Sequence, residues 1–299
     1  MNRPDLKKFE NQSTYRTPAS CGELLQGVIE DSFALISCPV NLYNTVTIQI
    51  NTSGVIKCDP ELQKSITATE RTLAFFEKSN LGATVKVSNP IPKSKGLGSS
   101  TSDITSCIAA TADAIGEPIE ALQIASIATS IEPSDATMFE EMVLFGHRTG
   151  LLIDRLGDLP LLDILAIDFG GTVDTVEYNM VDRFSVWKQH EKETQNALLD
   201  IAEGIKTNNV ALIGKGATAN TFTAQKIKHN PDLDQVIELA QSINAAGISL
   251  AHSGTIISII LDPNQKQMTY ALKQAKSKLK NWESINHFKT TPPGPIQIT

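Results

Sequence analysis

The chain has 299 residues, is 41% hydrophobic, and carries 26 Lys and Arg against 33 Asp and Glu, a formal charge of −7. That length can bury a full core and predicts two domains. A net negative surface repels phosphate backbones, so general nucleic-acid binding is excluded and any phosphate site must be local. The opening "MNRPDLKKFENQ" lacks the apolar stretch of a signal peptide, and no run nears the ~20 apolar residues of a membrane span. Cys21, Cys38, Cys58 and Cys107 are widely spaced, without a CxxC pair. They read as reduced thiols in a soluble, cytoplasmic protein.

In chain order, "FALISCPV" and "NTVTIQI" predict neighbouring strands, with Val46, Ile48 and Ile50 alternating with polar residues, and "ATVKVS" predicts another. "DITSCIAATADAIG" predicts a helix with one apolar stripe through Ile104, Cys107, Ile108 and Ile115, closed by Gly116 and Pro118. "PIEALQIASIATSIEP" predicts a second helix, and "ATMFEEMVLF" reads as a third that Asp135 would cap. In "GDLPLLDILAIDFGG" a polar turn precedes an apolar strand, which places a domain boundary near Leu161 and divides the chain into 1–160 and 161–299. Beyond it come helices in "KQHEKETQNALLDIAEGIK" and "DLDQVIELAQSIN", a strand-like "GISLAHSGTIISIILD", a helix in "QKQMTYALKQAKSKLKNW" and a closing strand at "INHFKT". Strands and helices do not alternate strictly, so the fold class is α+β rather than a doubly wound parallel sheet.

The stretch "PIPKSKGLGSSTSDIT", Pro90 to Thr105, carries the chemistry. Gly96 and Gly98 open backbone conformations closed to other residues and let a ligand reach the main chain. Ser99 and Ser100 follow directly before the helical stripe, and Ser100 with Asp103 has the spacing of a capping box. A helix start leaves unpaired N–H groups and a partial positive charge, so glycines, amides and hydroxyls together can cradle an anion. Lys93 and Lys95 would add positive charge at its mouth. A tight turn that merely caps a helix is the plainer alternative. No Walker A loop and no complete GxGxxG is present.

The whole string resembles the phosphate loop of the GHMP kinases, P-x-x-x-G-[LI]-[GA]-[SA]-S-x-[AS], with Pro92, Gly96, Leu97, Gly98, Ser99, Ser100 and Ser102 matching. "PASCGELLQG" (Pro18 to Gly27) is similar to the family's first, acceptor-lining motif, and "AAGISLAHSGTIISIILD" stands where its third, Gly-rich motif stands. The finer spelling "ASCGELLQG", "ISCP" and "AHSGT" is most similar to the L-threonine kinase branch that serves cobalamin synthesis.

The resemblance implies a two-domain α+β fold, with an N-terminal ribosomal-protein-like β-α-β domain and a C-terminal ferredoxin-like domain. It also implies an ATP:alcohol phosphotransferase using Mg²⁺ on a small-molecule substrate. The loop, including Lys93, Ser94, Lys95, Thr101 and Asp103, would wrap the ATP phosphates. Ser100 and Glu132 would hold the metal, although Glu132 lies closer to Asp135 than the family spacing. Asp135 would accept or orient the acceptor proton. Glu23, Gln26, His252 and Ser253 would meet the substrate, Glu23 through an amino-acid ammonium. The first motif departs from several members by placing Ser20 where they have a Lys, and the third keeps only Gly247 and Gly254. His147, His190, His229 and His287 read as surface or structural. Three alternatives stay open: L-threonine, homoserine or another hydroxylated metabolite as acceptor, or a non-catalytic ligand sensor. The sequence leaves the oligomeric state open, a homodimer included.

Overall fold

The computed structural model describes residues 11–172 and 182–298. The alternating strand β4 (Thr45–Asn51) pairs antiparallel with β1 (Gln12–Arg16) and β6 (Gly82–Ser88), putting Val46, Ile48 and Ile50 beside Val87, Val85 and Ala83. With β5 (Ile56–Lys57) and β13 (Ile296–Gln297) these make a five-stranded sheet ordered β13-β1-β4-β6-β5. The second sheet has eight strands, β12-β9-β11-β10-β2-β3-β7-β8. They are β2 (Pro18–Ile29), β3 (Ser32–Tyr43), β7 (Met142–Gly146), β8 (Leu151–Gly157), β9 (Asp163–Asp168), β10 (Gly247–Leu250), β11 (Ile256–Leu261) and β12 (Ser284–Lys289). The class is α+β, with sheets and helices segregated as the composition of elements predicts.

The expected neighbours β3 and β4 do not pair; consecutive in the chain, they enter different sheets. The crossing is held at Asn44, whose amide donates to the Thr17 carbonyl at 3.3 Å while its side-chain oxygen accepts the Thr17 amide at 2.9 Å. Thr17 is the same crossing point between β1 and β2, so one buried pair fastens both changes of sheet. The larger sheet runs without interruption past residue 160. β2 from the first half meets β10 from the second at Glu23 and Leu250, and β13 returns to the first sheet at the far end of the chain.

Helix α2 (Ser99–Ala114) begins four residues before the predicted "DITSC" start and is buried at every position except Ser100 and Asp113. The single stripe read from the sequence is therefore only part of its packed surface. It lies between β1 and β4 on one side and α1 (Gln63–Phe75) and α3 (Ala121–Ile131) on the other, so small residues such as Ala109, Ala110 and Ala112 face neighbours too. Helix α1 was not foreseen.

The segment "ATMFEEMVLF" is not a helix. Its end is β7, buried at every residue and paired with β3 and β8. A short apolar run fits a fully buried inner strand as well as a helix by periodicity alone, and the open edge of β3 decides it. The second half carries α4 (Phe184–Gln189), α5 (Glu191–Lys206), α6 (Val210–Ile227), α7 (Leu233–Ser242) and α8 (Met268–Lys278). Helix α6 was also unforeseen. Its Gly214 weakens the helical signal but lets the helix lie on the sheet, because a Cβ there would sit 2.2 Å from the Ala246 carbonyl oxygen. All four cysteines are free thiols. No helix among the described residues is long and apolar enough to cross a membrane.

Candidate active site

The loop before α2 is strung between two scaffolds. The Ser20 amide of β2 donates to the Leu97 carbonyl and that of Gly22 to the Gly96 carbonyl, each at 3.1 Å. From the turn between β10 and β11, the amides of Thr255 and Ile256 both donate to the Lys95 carbonyl, at 3.1 and 3.2 Å. The Gly98 carbonyl takes the first helical bond, from Ser102 at 2.9 Å. Four successive carbonyls are thus consumed by the scaffold, and the amides of Ser99, Ser100 and Thr101 precede that first bond. Gly98 caps the helix at φ 65°, a left-handed conformation that favours glycine. The expected capping box does not form. Asp103 instead accepts from Asn44 at 3.0 Å and Asn89 at 2.8 Å. Burial raises its pKa, while those two amides and Lys93 pull it down.

These amides border a cavity of about 410 Å³, which Glu23, Ser253, Glu132, Asp135 and the first turn of α1 also line. Ser100 donates its hydroxyl to one oxygen of Glu132. Lys64, from α1, holds the other oxygen of Glu132 at 2.6 Å. Asp135 is fixed by its own stretch of backbone. The Ser134 amide donates to the His147 carbonyl at 2.9 Å, the Asp135 amide to Thr101 Oγ1 at 3.2 Å, and the Ala136 amide to Ser37 Oγ at 2.9 Å. The Asp135 carboxyl faces the start of α2 so closely that a Cβ on Gly98 would lie 2.6 Å from Oδ2. Burial, then the Glu132 charge, push its pKa up to about 7, with the Thr101 hydrogen bond opposing. Glu23 is buried, and its pKa is raised well above the usual carboxylate range, first by burial and then by the charge of Asp135. The pairing of β2 with β3 shifts register on both sides of Glu23, the kind of irregularity that re-aims a side chain beside a site.

The predicted site residues separate in space. Pro92, Lys93, Ser94, Gly96, Leu97, Gly98, Ser99, Ser100, Thr101 and Asp103 line the cavity; Ser102 turns inward and donates to the Ser99 carbonyl at 2.9 Å. Lys95 is not at the mouth. It is ion-paired with Asp168 and with Glu283, both at 2.8 Å. The reason is Ser94, whose φ of 60° reverses the chain between the two lysines. Ser253 lines the cavity, while Gln26 and His252 stand behind Glu23. The His252 amide donates to the Glu23 carboxylate at 2.5 Å, and its ring Nδ1 lies 2.8 Å from Gln26 Oε1. Because Gln26 Nε2 donates to the Leu250 carbonyl at 3.1 Å, Oε1 is assigned as the acceptor and Nδ1 as the protonated nitrogen. Burial, then Arg148, Arg183 and Lys228, push the pKa of His252 down to about 3, so the ring is neutral at pH 7. Ser20, standing where several family members have a lysine, donates to the Gly22 carbonyl at 3.0 Å and accepts the Cys38 amide at 3.2 Å; it braces β2. The residue missed entirely is Lys64. The turn at Asp59-Pro60 ahead of a helix-compatible run was the signal that could have placed it at a helix start.

One cavity on this two-sheet frame thus gathers a helix N-terminus, a hydroxyl paired with a carboxylate, and two further acids, Asp135 and Glu23. The family model for the GHMP kinases N terminal domain matches residues 64–140, and that for the GHMP kinases C terminal matches residues 201–278. The chain belongs to the GHMP kinases, and is a phosphotransferase enzyme.

Within that family it is similar to an L-threonine kinase of Citrobacter freundii, 32% identical over 85% of this chain and 88% of the relative. An L-threonine kinase of Salmonella typhimurium is 29% identical over 94% of this chain and 92% of its own. The crystal structure of a homoserine kinase from Cytophaga hutchinsonii shares the fold with a TM-score of 0.74 over 100% of both chains, at 16% identity.

The residues present fit a nucleotide polyphosphate, since the carbonyls of residues 95–98 are engaged elsewhere and the amides at the start of α2 border the cavity. They also fit a magnesium ion. The Ser100 hydroxyl and the Glu132 carboxylate are hard oxygen ligands, and magnesium completes its shell with water and phosphate oxygens rather than an all-protein cage.

Proposed function

We propose that this kinase transfers the terminal phosphoryl group of ATP to the side-chain hydroxyl of L-threonine, giving L-threonine O-3-phosphate for cobalamin synthesis. The observation that carries it is the convergence of Ser100, Glu132, Asp135 and Glu23 on one cavity beneath the amides of α2, in a chain 32% identical to an L-threonine kinase. Phosphoryl transfer asks mainly for positioning and charge stabilisation. The amides from Ser99 onward bind the phosphate oxygens, and the partial positive end of α2 favours them there. Ser100 and Glu132 hold magnesium, which when bound draws charge from the phosphate oxygens.

Asp135 takes or orients the acceptor's hydroxyl proton. A pKa of about 7 suits a base at neutral pH, being neither too weak to accept nor too strong to release. Glu23 receives the ammonium of the amino acid, and a cation there restores the charge that burial and Asp135 oppose. With Ser20 engaged in β2, no cation from the first motif assists.

The test is ADP release across L-threonine, L-serine and L-homoserine with MgATP. L-Threonine should show the highest kcat/KM. Its extra methyl over L-serine is worth about 1–3 kcal/mol in an apolar pocket, roughly 10- to 200-fold. A higher value for L-homoserine would transfer the assignment to that acceptor. Nucleotide binding without ADP formation from any acceptor would end it.

A further inference from the structure

Five carboxylates line the cavity against two lysines, Lys64 and Lys93. A polyphosphate entering such a field needs cations close to its terminal end, and the first motif supplies none. Lys93 stands near Asp103, whose pKa its charge lowers. Lys64 is paired with the carboxylate that Ser100 also holds.

Resting on the site reading above, we propose that Lys64 is a phosphate-binding residue that exchanges Glu132 for an oxygen of the nucleotide's terminal phosphate. Three features permit the exchange. Lys64 sits in the first turn of α1, and that helix packs on both α2 and α3, so the base of the side chain is fixed in relation to the phosphate loop. The side chain is 45% exposed, so its ammonium moves through solvent and leaves a pair that contributes little by itself. Glu132 has both oxygens engaged, one by Ser100 and one by Lys64. Departure of Lys64 frees an oxygen for a divalent cation as the ammonium gains a phosphate oxygen, so no charge is left uncompensated.

A structural clamp on Glu132 and a terminal-phosphate ligand differ in what they discriminate. Binding of ADP and of a non-hydrolysable ATP analogue, each with Mg²⁺, is measured by calorimetry for the unmodified chain, Lys64→Met and Lys64→Arg, with thermal unfolding confirming that each is folded. Lys64→Met should weaken the ATP analogue by about tenfold or more, the loss expected of one charge-assisted hydrogen bond, and ADP by about twofold or less. Lys64→Arg should recover most of the analogue's affinity. Equal weakening of both ligands by Lys64→Met, or no weakening of either, overturns the proposal and leaves the rest of the site standing. Failure of the unmodified chain to bind either nucleotide overturns this proposal and the site reading together.

Discussion

Two glycine-bearing loops pack directly against each other beside the cavity, and they use their glycines differently. In Pro92–Asp103, Gly98 is left-handed and bare so that the amides after it stay open and Asp135 can approach. In Ala251–Thr255, Gly254 is a spacer: a Cβ there would lie 2.3 Å from the Lys95 carbonyl oxygen and 2.4 Å from the Gly96 amide nitrogen. The first loop presents backbone donors to a ligand, while the second has its donors turned to the first loop and to Glu23. The third motif keeps few glycines, and its hydrogen bonds to the Lys95 carbonyl and to Glu23 buttress the glycine loop and its neighbour. His252, neutral and held by Gln26, belongs to that buttress.

The contrast predicts that changes to groups facing the cavity reduce catalysis at unchanged stability, and changes to groups that brace the loops do the reverse. The largest effect is expected for Asp135→Asn, with kcat/KM down about 10²- to 10⁴-fold, the range for losing a positioned acid–base group. Its melting temperature should hold. The same residue sets the pH profile. A carboxyl raised to about 7 is ionised only above that value, so kcat/KM should rise with pH through about 7 and then level. In Glu132→Gln that limb should move to lower pH but not to the ordinary carboxylate range, because burial is the larger cause. A limb that stays put would mean that Asp135 does not titrate in the rate.

Ser100→Ala comes next. Loss of a hydroxyl serving the metal should lower activity about 10- to 100-fold, matching a hydrogen bond to a charged group at about 1.5–3 kcal/mol. Full turnover in the folded variant would remove Ser100 from the site.

Gly254→Ala should cost about 1–3 kcal/mol of stability by overpacking against backbone that cannot yield, read in chemical denaturation. An unchanged midpoint would refute the spacer role. Lys95→Met should also lower stability, since it removes the partner of Asp168 from a largely buried pair and that of Glu283 from a more open one. It should alter ADP and ATP-analogue affinity equally, since Lys95 anchors the loop to Asp168 and Glu283 instead of touching phosphate. A loss confined to the ATP analogue would make it a ligand after all.

How much of this was legible follows from distance along the chain. The glycine loop and the helix it starts could be read directly, because left-handed glycines, a helix start and its hydroxyls are local demands met by adjacent residues. The alternation in β4 and β6 was equally plain, since one buried face imposes a period of two. Asp135 was identifiable as a residue but not in its setting: the helix expected after it gave way to β7, whose apolar run answers to the edge of β3.

The linear order of residues was thus enough for the family, the class of fold and the glycine loop that starts α2, all encoded in contiguous stretches. Folding in three dimensions was needed to part β3 from β4 at Asn44, to send Lys95 away from the cavity and to bring Lys64 into it. Those outcomes depend on partners 32 residues apart for Ser100 and Glu132, 68 for Lys64 and Glu132, and 188 for Lys95 and Glu283. A charged side chain's direction is settled by whichever opposite charge the packed backbone brings within reach, and nothing in its own neighbourhood of the chain records that choice.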